Sequence, residues 1–330
     1  LSEAMELSVA KDPSNPIKKL LPNENAVELS NGRRIEYEAL ILEPQLQQVP
    51  ETIPGLLEGL NRADGRVYAP VSKAGNPLYY GFFPLFENGN AFIYIPEFPF
   101  ENEVEQFNFL SALSTWELGE KYGAVSPIRH LTIINANDRF ASKCNVLNDF
   151  IMKKLSTHPK VDVLFNTKLK SINNKDQTLL VEDKSGNQKT FEFNRVYVHI
   201  PTAGNQQCVE AGLIKPGKKQ IEVDPKSLLV KGYDNIFAYG EGVDLPVQPS
   251  FGAFNSQAQV VRHNALEYVD GRRPNAEYGG ETKMAIFTGT NSATFYSAAY
   301  NKEPKISQGW LIERLWYYYI IKSYAKSLRK

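Results

Sequence analysis

The pattern of apolar and polar positions predicts a β-hairpin near the beginning of the chain. Residues 27–37 alternate between apolar and polar on both sides of Asn31-Gly32, a dipeptide that favours a tight two-residue turn. The short apolar run at residues 39–42 then predicts a buried strand. Residues 43–88 are rich in Pro, Gly and Asn and have no regular period, so we expect them to be irregular.

Strand-like and helix-like patterns alternate from residue 90 onward. Apolar runs are separated by stretches whose apolar residues recur at helical spacing, which predicts a β-α-β-α-β unit with a parallel sheet. A hairpin and a further buried strand follow that unit. In order, the predicted elements are strand 91–95, helix 103–122, strand 131–135, helix 145–155, strand 161–165, the hairpin of 178–182 and 190–193, and strand 195–200.

The last third of the chain begins with a strand that ends in an acid. Residues 235–239 form a mostly apolar run that stops at Gly240-Glu241-Gly242. A buried parallel strand with this ending brings a carboxylate to a ligand at its C-terminal end. The remaining predicted elements are a helix over 256–269, an antiparallel pair over 283–287 and 294–300, and a helix over 310–330.

Composition and charge exclude several classes of function. With 42% hydrophobic and 22% charged residues, the 330-residue chain has an ordinary globular composition and room for two domains. A formal net charge of zero argues against a nucleic-acid partner, which would require a basic face. The two cysteines, Cys144 and Cys208, and the four histidines lack metal-ligand spacing, so we expect neither a metal site nor a disulfide framework.

The sequence shows neither a targeting signal nor a membrane-spanning segment. No apolar run is long enough to predict a spanning helix, and no signal peptide is recognisable. Because residue 1 is Leu rather than Met, we expect the natural N-terminus to lie outside this sequence or to have been removed by processing.

The order of the segments resembles the pyridine nucleotide-disulfide oxidoreductase superfamily, and within it the sulfide:quinone oxidoreductase and flavocytochrome c sulfide dehydrogenase branch. The fold class that this resemblance implies is α/β, similar to flavoproteins with two dinucleotide-binding folds. The segments that carry it are the Asn-Gly hairpin followed by Tyr-x-x-Leu-Ile, the strand before Pro96-x-x-Pro99, Pro201-Thr-Ala-Gly204, Ala211-Gly-Leu213, Val223-Asp224 and Asn235-Ile-Phe-Ala-x-Gly240-acid.

The resemblance implies a division of the chain into four regions. They are a remnant of the FAD-type domain (1–88), an inserted dinucleotide-like domain (89–203), the returning half of the FAD-type domain (204–275) and a C-terminal contact region (276–330). The family's first strand, Gly-rich loop and helix, which cradle the FAD pyrophosphate, have no counterpart here, because no G-x-G-x-x-G occurs. We expect that half-domain to lie upstream of Leu1 or on another polypeptide.

Two further departures fall where the family holds FAD. After strand 39–42 the family continues with small residues, whereas here Glu43-Pro44 would crowd the cofactor and remove an N–H donor. The family acid that bonds the ribityl chain is Asp, and here it is the longer Glu241. On the resemblance, the positions that would contact FAD are Gly240, Glu241, Pro246 and Gln257.

The same residues have a purely structural interpretation. Glu241 can end a strand and cap the next turn, and Asn255 or Ser256 can be a plain helix N-cap instead of a neighbour of the flavin. His199 we expect to pack at the end of a buried strand. Binding of FAD is therefore doubtful from the sequence, and it stays open as an alternative.

The redox cysteines that sulfide oxidation requires are replaced at every matching position. In the family, one cysteine follows the Pro-x-x-Pro segment, and the residue there is Asn102. The second lies at the position of Gly242 in one subgroup and of Ile221 in another. None of these residues carries sulfur, so neither a persulfide nor a disulfide can form there. We therefore predict no catalytic residue.

The end of the chain predicts an aromatic-rich amphipathic helix followed by cations. Such a helix suits the surface of an anionic membrane, which is where the resemblance places this region, or it packs on the protein's own core or on a neighbouring subunit. The predicted membrane or partner contacts are Trp310, Leu315, Trp316, Tyr319 and Lys322.

These observations support two hypotheses about function. The first is a degenerate, non-catalytic relative of the sulfide:quinone oxidoreductases that serves as an accessory subunit of a membrane-associated respiratory assembly. The second is an active FAD-dependent NAD(P)H or quinone oxidoreductase, completed by a Gly-rich loop upstream or on another chain. A peripheral location at the mitochondrial inner membrane is implied by the resemblance alone.

Overall fold

The computed structural model of the protein describes residues 15–62, 64–69, 89–101, 103–121, 128–289 and 291–327. The strands in chain order are β1 (Ile17–Leu21), β2 (Ala26–Leu29), β3 (Arg34–Glu36), β4 (Leu40–Leu42), β5 (Gln47–Gln48), β6 (Val67–Tyr68), β7 (Gly89–Ile95), β8 (Ile128–Asn135), β9 (Val161–Leu164), β10 (Thr167–Asn173), β11 (Thr178–Asp183), β12 (Gln188–Glu192), β13 (Arg195–Val198), β14 (Thr202–Ala203), β15 (Ile221–Glu222), β16 (Ile236–Ala238), β17 (Val243–Asp244), β18 (Thr282–Gly289), β19 (Ser292–Ala299) and β20 (Lys302–Ile306). The α-helices are α1 (Leu56–Leu60), α2 (Phe109–Lys121), α3 (Asn145–Leu155), α4 (Gln206–Glu210), α5 (Phe251–Val269) and α6 (Trp310–Ser327), and 3-10 helices occupy Pro22–Glu24, Pro50–Thr52 and Glu103–Asn108.

The chain divides into two compact units that are discontinuous in sequence. Unit 1 comprises residues 1–47, 203–246 and 252–281, and unit 2 comprises residues 48–202, 247–251 and 282–330. The chain therefore leaves unit 1 after residue 47 and returns to it at residue 203. The domain boundaries expected from the sequence, after residues 88, 203 and 275, stay predictions.

Unit 1 contains one antiparallel sheet and two parallel strand pairs. Strands β1, β2 and β3 form the antiparallel sheet, and the β2–β3 pairing is the hairpin predicted over residues 27–37. Strand β4 pairs in parallel with β16, and β15 pairs in parallel with β17. Almost the whole of the long helix α5 belongs to this unit.

Unit 2 is built around a five-stranded parallel sheet in the order β6-β13-β7-β8-β9. Successive side chains of β7 contribute to two different cores, since Ile93 and Ile95 lie in one and Phe92 and Tyr94 in the other. The sheet is thus covered on both faces. This explains why residues 91–95 read as one uninterrupted apolar run.

The two layers over the parallel sheet have different compositions. Helices α2 and α3 supply the first core, together with side chains from β18 and β19. Helix α1 and the antiparallel sheet β10-β11-β12 supply the second. A second antiparallel sheet, β18-β19-β20, packs against α2 and carries α6 on β19.

The mixed α/β fold is confirmed, and several predicted elements need correction. The helix predicted over 103–122 is a 3-10 helix over its first six residues and α-helical from Phe109. The helix predicted from 256 begins at Phe251, so Asn255 and Ser256 lie inside it and the N-cap assigned to them is wrong. Strands β1, β10 and β20 were not predicted, and the expectation that residues 43–88 are irregular is wrong for β5, α1 and β6. None of the helices in the described ranges is both long enough and apolar enough to cross a bilayer.

Candidate functional site

The candidate site lies where two parallel strands of unit 1 end side by side. Strands β4 and β16 are in register from Leu40 opposite Ile236 to Leu42 opposite Ala238. Residues 236–238 are completely buried, so the β4–β16 pair lies in the interior of the unit. Because parallel strands share one C-terminal edge, residues 43–44 and 239–242 emerge next to each other. Ligands of open α/β folds bind at such edges.

Glu43 and Pro44 contact the glycines of the Gly-Glu-Gly segment directly. The Tyr239 hydroxyl donates a 3.0 Å hydrogen bond to Oε2 of Glu43 across the two strand ends. A Cβ added to Gly240 would lie 3.4 Å from Cγ of Glu43, and one added to Gly242 would lie 2.1 Å from the carbonyl oxygen of Pro44. The space beside Gly242 is therefore occupied by the Pro44 backbone, and Glu43 packs in van der Waals contact beside Gly240.

The backbone of this segment is also hydrogen-bonded within the unit. Gly240, at a φ of 94°, donates its N–H to Oε1 of the buried Gln257, at 3.0 Å. The carbonyl oxygen of Glu241 accepts a 2.7 Å hydrogen bond from Nε2 of Gln220. Gly240 and Gln257, which were both predicted to contact FAD, thus lie together and form a hydrogen bond with each other. Pro246 lies exposed at the end of the same segment.

Burial changes the protonation behaviour of Tyr239. Its burial, and after that its hydrogen bond to Glu43, raise the pKa of Tyr239 to about 12. The phenol is consequently neutral at physiological pH and acts as a hydrogen-bond donor to the carboxylate. The pair ties the end of β4 to the end of β16.

The two alternative positions for the second redox cysteine are neighbours in space. Ile221 is fully buried in β15, and its N–H donates a 2.8 Å hydrogen bond to the carbonyl oxygen of Gly242. Asn102, at the position of the first cysteine, lies outside the described residues. Of the actual cysteines, Cys208 is buried in α4, and burial raises its pKa to about 12. A thiol with such a pKa is a poor nucleophile.

A second polar cluster in unit 2 carries no signal in the sequence. The Glu103 carboxylate is buried and accepts hydrogen bonds from Ser142 Oγ (2.6 Å) and Gln248 Nε2 (2.8 Å). Burial raises the pKa of Glu103 to about 7, against the opposing effect of these bonds and of Lys143. The cluster joins residues far apart along the chain, so local pattern could not reveal it.

His199 packs at the end of strand β13, as expected. Its ring contacts those of Phe100 and Tyr197, at centroid distances of 5.4 and 5.3 Å, and burial lowers the pKa of His199 to about 3. The imidazole is therefore neutral. Within the described part of the chain, neither ring nitrogen has a hydrogen-bond partner. No group of three or more potential metal ligands occurs there either.

The predicted contact residues of the C-terminal segment divide between the two faces of α6. Leu315 and Tyr319 are exposed, as is Lys322. Trp316 instead faces the β18-β19-β20 sheet, where its ring stacks on Phe295 at a centroid distance of 4.8 Å. Trp310 is the first residue of the helix.

The chain is similar in sequence to known oxidoreductases. The model of the pyridine nucleotide-disulphide oxidoreductase family matches residues 112–262. The mitochondrial sulfide:quinone oxidoreductase of Schizosaccharomyces pombe is 22% identical over 303 residues, which cover 89% of this chain and 63% of that protein. The chain spans 58 to 63% of the length of the curated relatives that it matches.

Two solved structures share the fold. A chain in the cryo-EM structure of the Tetrahymena thermophila mitochondrial ATP synthase is 31% identical with a TM-score of 0.83, over 92% of this chain and 75% of that chain. The sulfide:quinone oxidoreductase of Aquifex aeolicus is 16% identical with a TM-score of 0.68, over 95% of this chain and 73% of that chain. The family match and the curated relatives support a relationship to the sulfide:quinone oxidoreductase branch of the FAD-dependent pyridine nucleotide-disulphide oxidoreductase superfamily, and the two solved structures show the same fold as this chain.

Proposed function

We propose that the protein is a non-catalytic member of its family and serves as a structural subunit of a larger, membrane-associated mitochondrial assembly. One observation carries the first half of this proposal. At the shared C-terminal edge of β4 and β16, Glu43 and Pro44 occupy the space beside the two glycines of the Gly-Glu-Gly segment. That edge is where members of this superfamily place their cofactor.

The described residues of this edge do not fit FAD. A cofactor that lies against a strand end needs open backbone and unpaired N–H donors. Here the N–H of Gly240 is already bonded to Gln257, and the face of Gly242 lies against the Pro44 backbone. Glu43 adds a carboxylate, which would repel the phosphates of the cofactor. Admitting FAD would require β4 and the segment after it to move.

The positions of the second redox cysteine argue in the same direction. Ile221 and Gly242 adjoin through a backbone hydrogen bond, and neither side chain can accept electrons or bind sulfur. Sulfide oxidation by the family's route requires a disulfide there. A single replacement could be compensated elsewhere, whereas the lack of the second cysteine at either of its alternative positions and the presence of Glu43-Pro44 remove separate parts of the same reaction.

The second half of the proposal rests on the similar chain in the Tetrahymena thermophila ATP synthase structure. That chain is part of a multi-subunit mitochondrial complex, and it is more similar to this protein than the oxidoreductases reported above. We accordingly place this protein at the mitochondrial inner membrane as a peripheral subunit.

An active FAD-dependent NAD(P)H or quinone oxidoreductase is the second candidate function. The observation that favours it is the parallel β4–β16 pair with its intact Gly-acid ending, which the family uses to approach the flavin. This candidate requires a Gly-rich strand-loop-helix unit on residues that precede this sequence or on another polypeptide.

The test is to isolate the native assembly that contains this protein and to measure its flavin content. A sulfide:quinone oxidoreductase treated identically serves as the positive control. We expect the protein to migrate in a large complex with no flavin released per copy on heating, and with no sulfide- or NADH-dependent quinone reduction. Stoichiometric flavin that reduces on addition of either donor would refute the non-catalytic role, and migration as a free protein would refute the subunit role.

A further inference from the structure

Helix α6 presents an apolar face away from the unit that carries it. Leu311, Leu315, Tyr318 and Tyr319 are 60 to 64% exposed. With the exposed Lys322, these residues recur at intervals of three and four, so they share one face of the helix. We call these five residues the outer stripe. Its length is about 16 Å, because each helical residue advances about 1.5 Å.

The opposite face of α6 is fixed in place by a buried carboxylate. Glu313 is 6% exposed and accepts hydrogen bonds from Lys154 Nζ at 2.9 and 3.1 Å. The hydroxyls of Thr288 and Ser292 donate to the same carboxylate, at 2.9 and 2.7 Å. Rotating the helix to bury its outer stripe would carry Glu313 into solvent and break all of these bonds.

Aromatic contacts hold the helix in the same orientation. Trp316 stacks on Phe295, and Tyr317 meets Phe287 edge to face at a centroid distance of 6.1 Å. Both aromatic pairs lie on the same side of the helix as Glu313. The exposure of the outer stripe is therefore imposed by the packing of α6 and does not come from a loosely held helix end.

The outer stripe has a single sign of charge. Glu313 is the one acid between residues 310 and 327, and it is paired on the inner face. Arg314 and Lys322 are both exposed. The complementary surface must consequently combine apolar side chains with negative charge.

We propose that the outer stripe docks an amphipathic helix of another protein subunit, whose apolar residues are flanked by carboxylates. This inference rests on the proposed function and names the partner surface for it. Large apolar residues repeating at positions i, i+4 and i+7 or i+8 are the usual anchors of helix-in-groove and helix–helix recognition. A carboxylate on the partner would pair with Lys322.

Two other occupants fit the charges less well. A second copy of this chain, paired antiparallel through the same stripe, would set Lys322 of each copy near Leu311 of the other, where the stripe has no acid to pair with it. A helix lying in a lipid surface carries its cations on the polar face or at its border. Lys322 lies on the centre line of the outer stripe, where insertion would draw its charge toward the acyl chains.

The test combines a photocrosslink with paired substitutions in cells that produce the protein. Tyr318 is replaced by photoreactive benzoylphenylalanine, and the adduct formed on irradiation is identified by mass spectrometry. In parallel, Leu315→Asp is compared with Leu266→Asp, a control on α5 where the leucine is 45% exposed. Lys322→Glu, a charge reversal at an exposed site, tests the electrostatic part without altering any packed residue.

We expect a crosslink to an amphipathic, acid-bearing helix of one other protein. Leu315→Asp should lower the fraction of the chain in the assembly about tenfold and Lys322→Glu about fivefold, as for anchor and charge positions of an interface. Leu266→Asp should leave that fraction unchanged. Adducts with lipid or with a second copy, or full incorporation of Leu315→Asp together with Lys322→Glu, would overturn the docking proposal alone. A wild-type chain outside any large assembly would overturn the proposed function as well.

Discussion

Replacing Glu313 by Gln would remove the one negative charge that fixes α6 to unit 2. The side chain of Glu313 is 8% exposed, and that of its partner Lys154 is 32% exposed. Gln keeps the shape and one acceptor oxygen, so the Thr288 and Ser292 hydroxyls retain a partner. Its amide NH2 group, however, would then face the Lys154 ammonium. Both groups are hydrogen-bond donors, so they cannot bond to each other.

The cost follows from the burial of the two partners. Removing one member of a fully buried ion pair costs about 3–5 kcal/mol, and a hydrogen bond to a charged group contributes about 1.5–3 kcal/mol. Because Lys154 is partly exposed and can turn to solvent, we expect about 2 kcal/mol for local opening of α6. That free energy corresponds to a roughly 30-fold larger population of the opened helix.

The effect should depend on pH in a defined direction. Burial raises the pKa of Glu313. The hydrogen bonds from Lys154, Ser292 and Thr288 together lower it by more, so the net pKa lies below the usual value. In the opened state Glu313 titrates near its ordinary pKa of about 4.3. The stabilisation is therefore complete above that pH and is lost as the pH falls through the lower pKa of the docked helix.

Hydrogen exchange of the α6 amides measures this opening directly. We expect protection of residues 311–322 in Glu313→Gln to fall roughly 30-fold at neutral pH and to approach that of wild type as the pH falls through the lowered pKa of Glu313, after correction for intrinsic rates. Glu303→Gln, at an exposed position of β20, is the matched control. Protection within about twofold of wild type, the range of ordinary surface substitutions, would refute the anchoring role of Glu313.

Three further predictions concern the two units. Gly242→Ala should lower the melting temperature of the protein, because its Cβ would overlap the Pro44 backbone and overpacking costs about 1–3 kcal/mol. Asn264→Ala should lower the free energy of unfolding in urea by about 2–3 kcal/mol, because a fully buried amide that bonds three backbone groups is lost. The control His263→Ala, on the exposed side of α5, should leave that free energy nearly unchanged. The pKa of Glu103 is about 7 in the folded protein and about 4.3 in the unfolded chain, so wild type should lose stability as the pH rises from about 4.3 to 7, where the unfolded chain alone ionises. Thermal melts of Glu103→Gln should lack that loss.

Much of the fold could be predicted because the relevant signals are local. The run at residues 91–95 indicated a strand buried on both faces, and the Asn-Gly turn indicated the β2–β3 hairpin. The start of α5 could not be located in this way. Asn255 and Ser256 have typical capping side chains, yet inside the helix Ser256 simply bonds back to the carbonyl of Gly252, at 3.3 Å.

The sequence indicated where the candidate site lies, at the end of a parallel strand, but not which side chains contact each other there. The Gly-acid ending of residues 236–242 indicated which strand would reach it, and Glu43-Pro44 was recognisable as an unusual continuation of the neighbouring strand. Two hydrogen bonds of the site, from Tyr239 to Glu43 and from the Gly240 N–H to Gln257, join residues from different parts of the chain. Such contacts are set by tertiary packing, and no periodicity in the sequence records them.

The residues that stabilise the fold differ from those that would form a cofactor site, which explains how a protein can keep this fold and lose its chemistry. The β4–β16 pair is stabilised by completely buried residues such as Ile236 and Phe237, whose burial requires nothing of the strand ends. A cofactor site depends instead on a few positions just beyond those ends, where side chains must be absent or sulfur-bearing. Filling them with Glu43 and Pro44 adds a hydrogen bond and packing contacts to unit 1 and so stabilises the protein without the cofactor. Under the proposed role as a structural subunit, selection for stability would favour replacements of this kind.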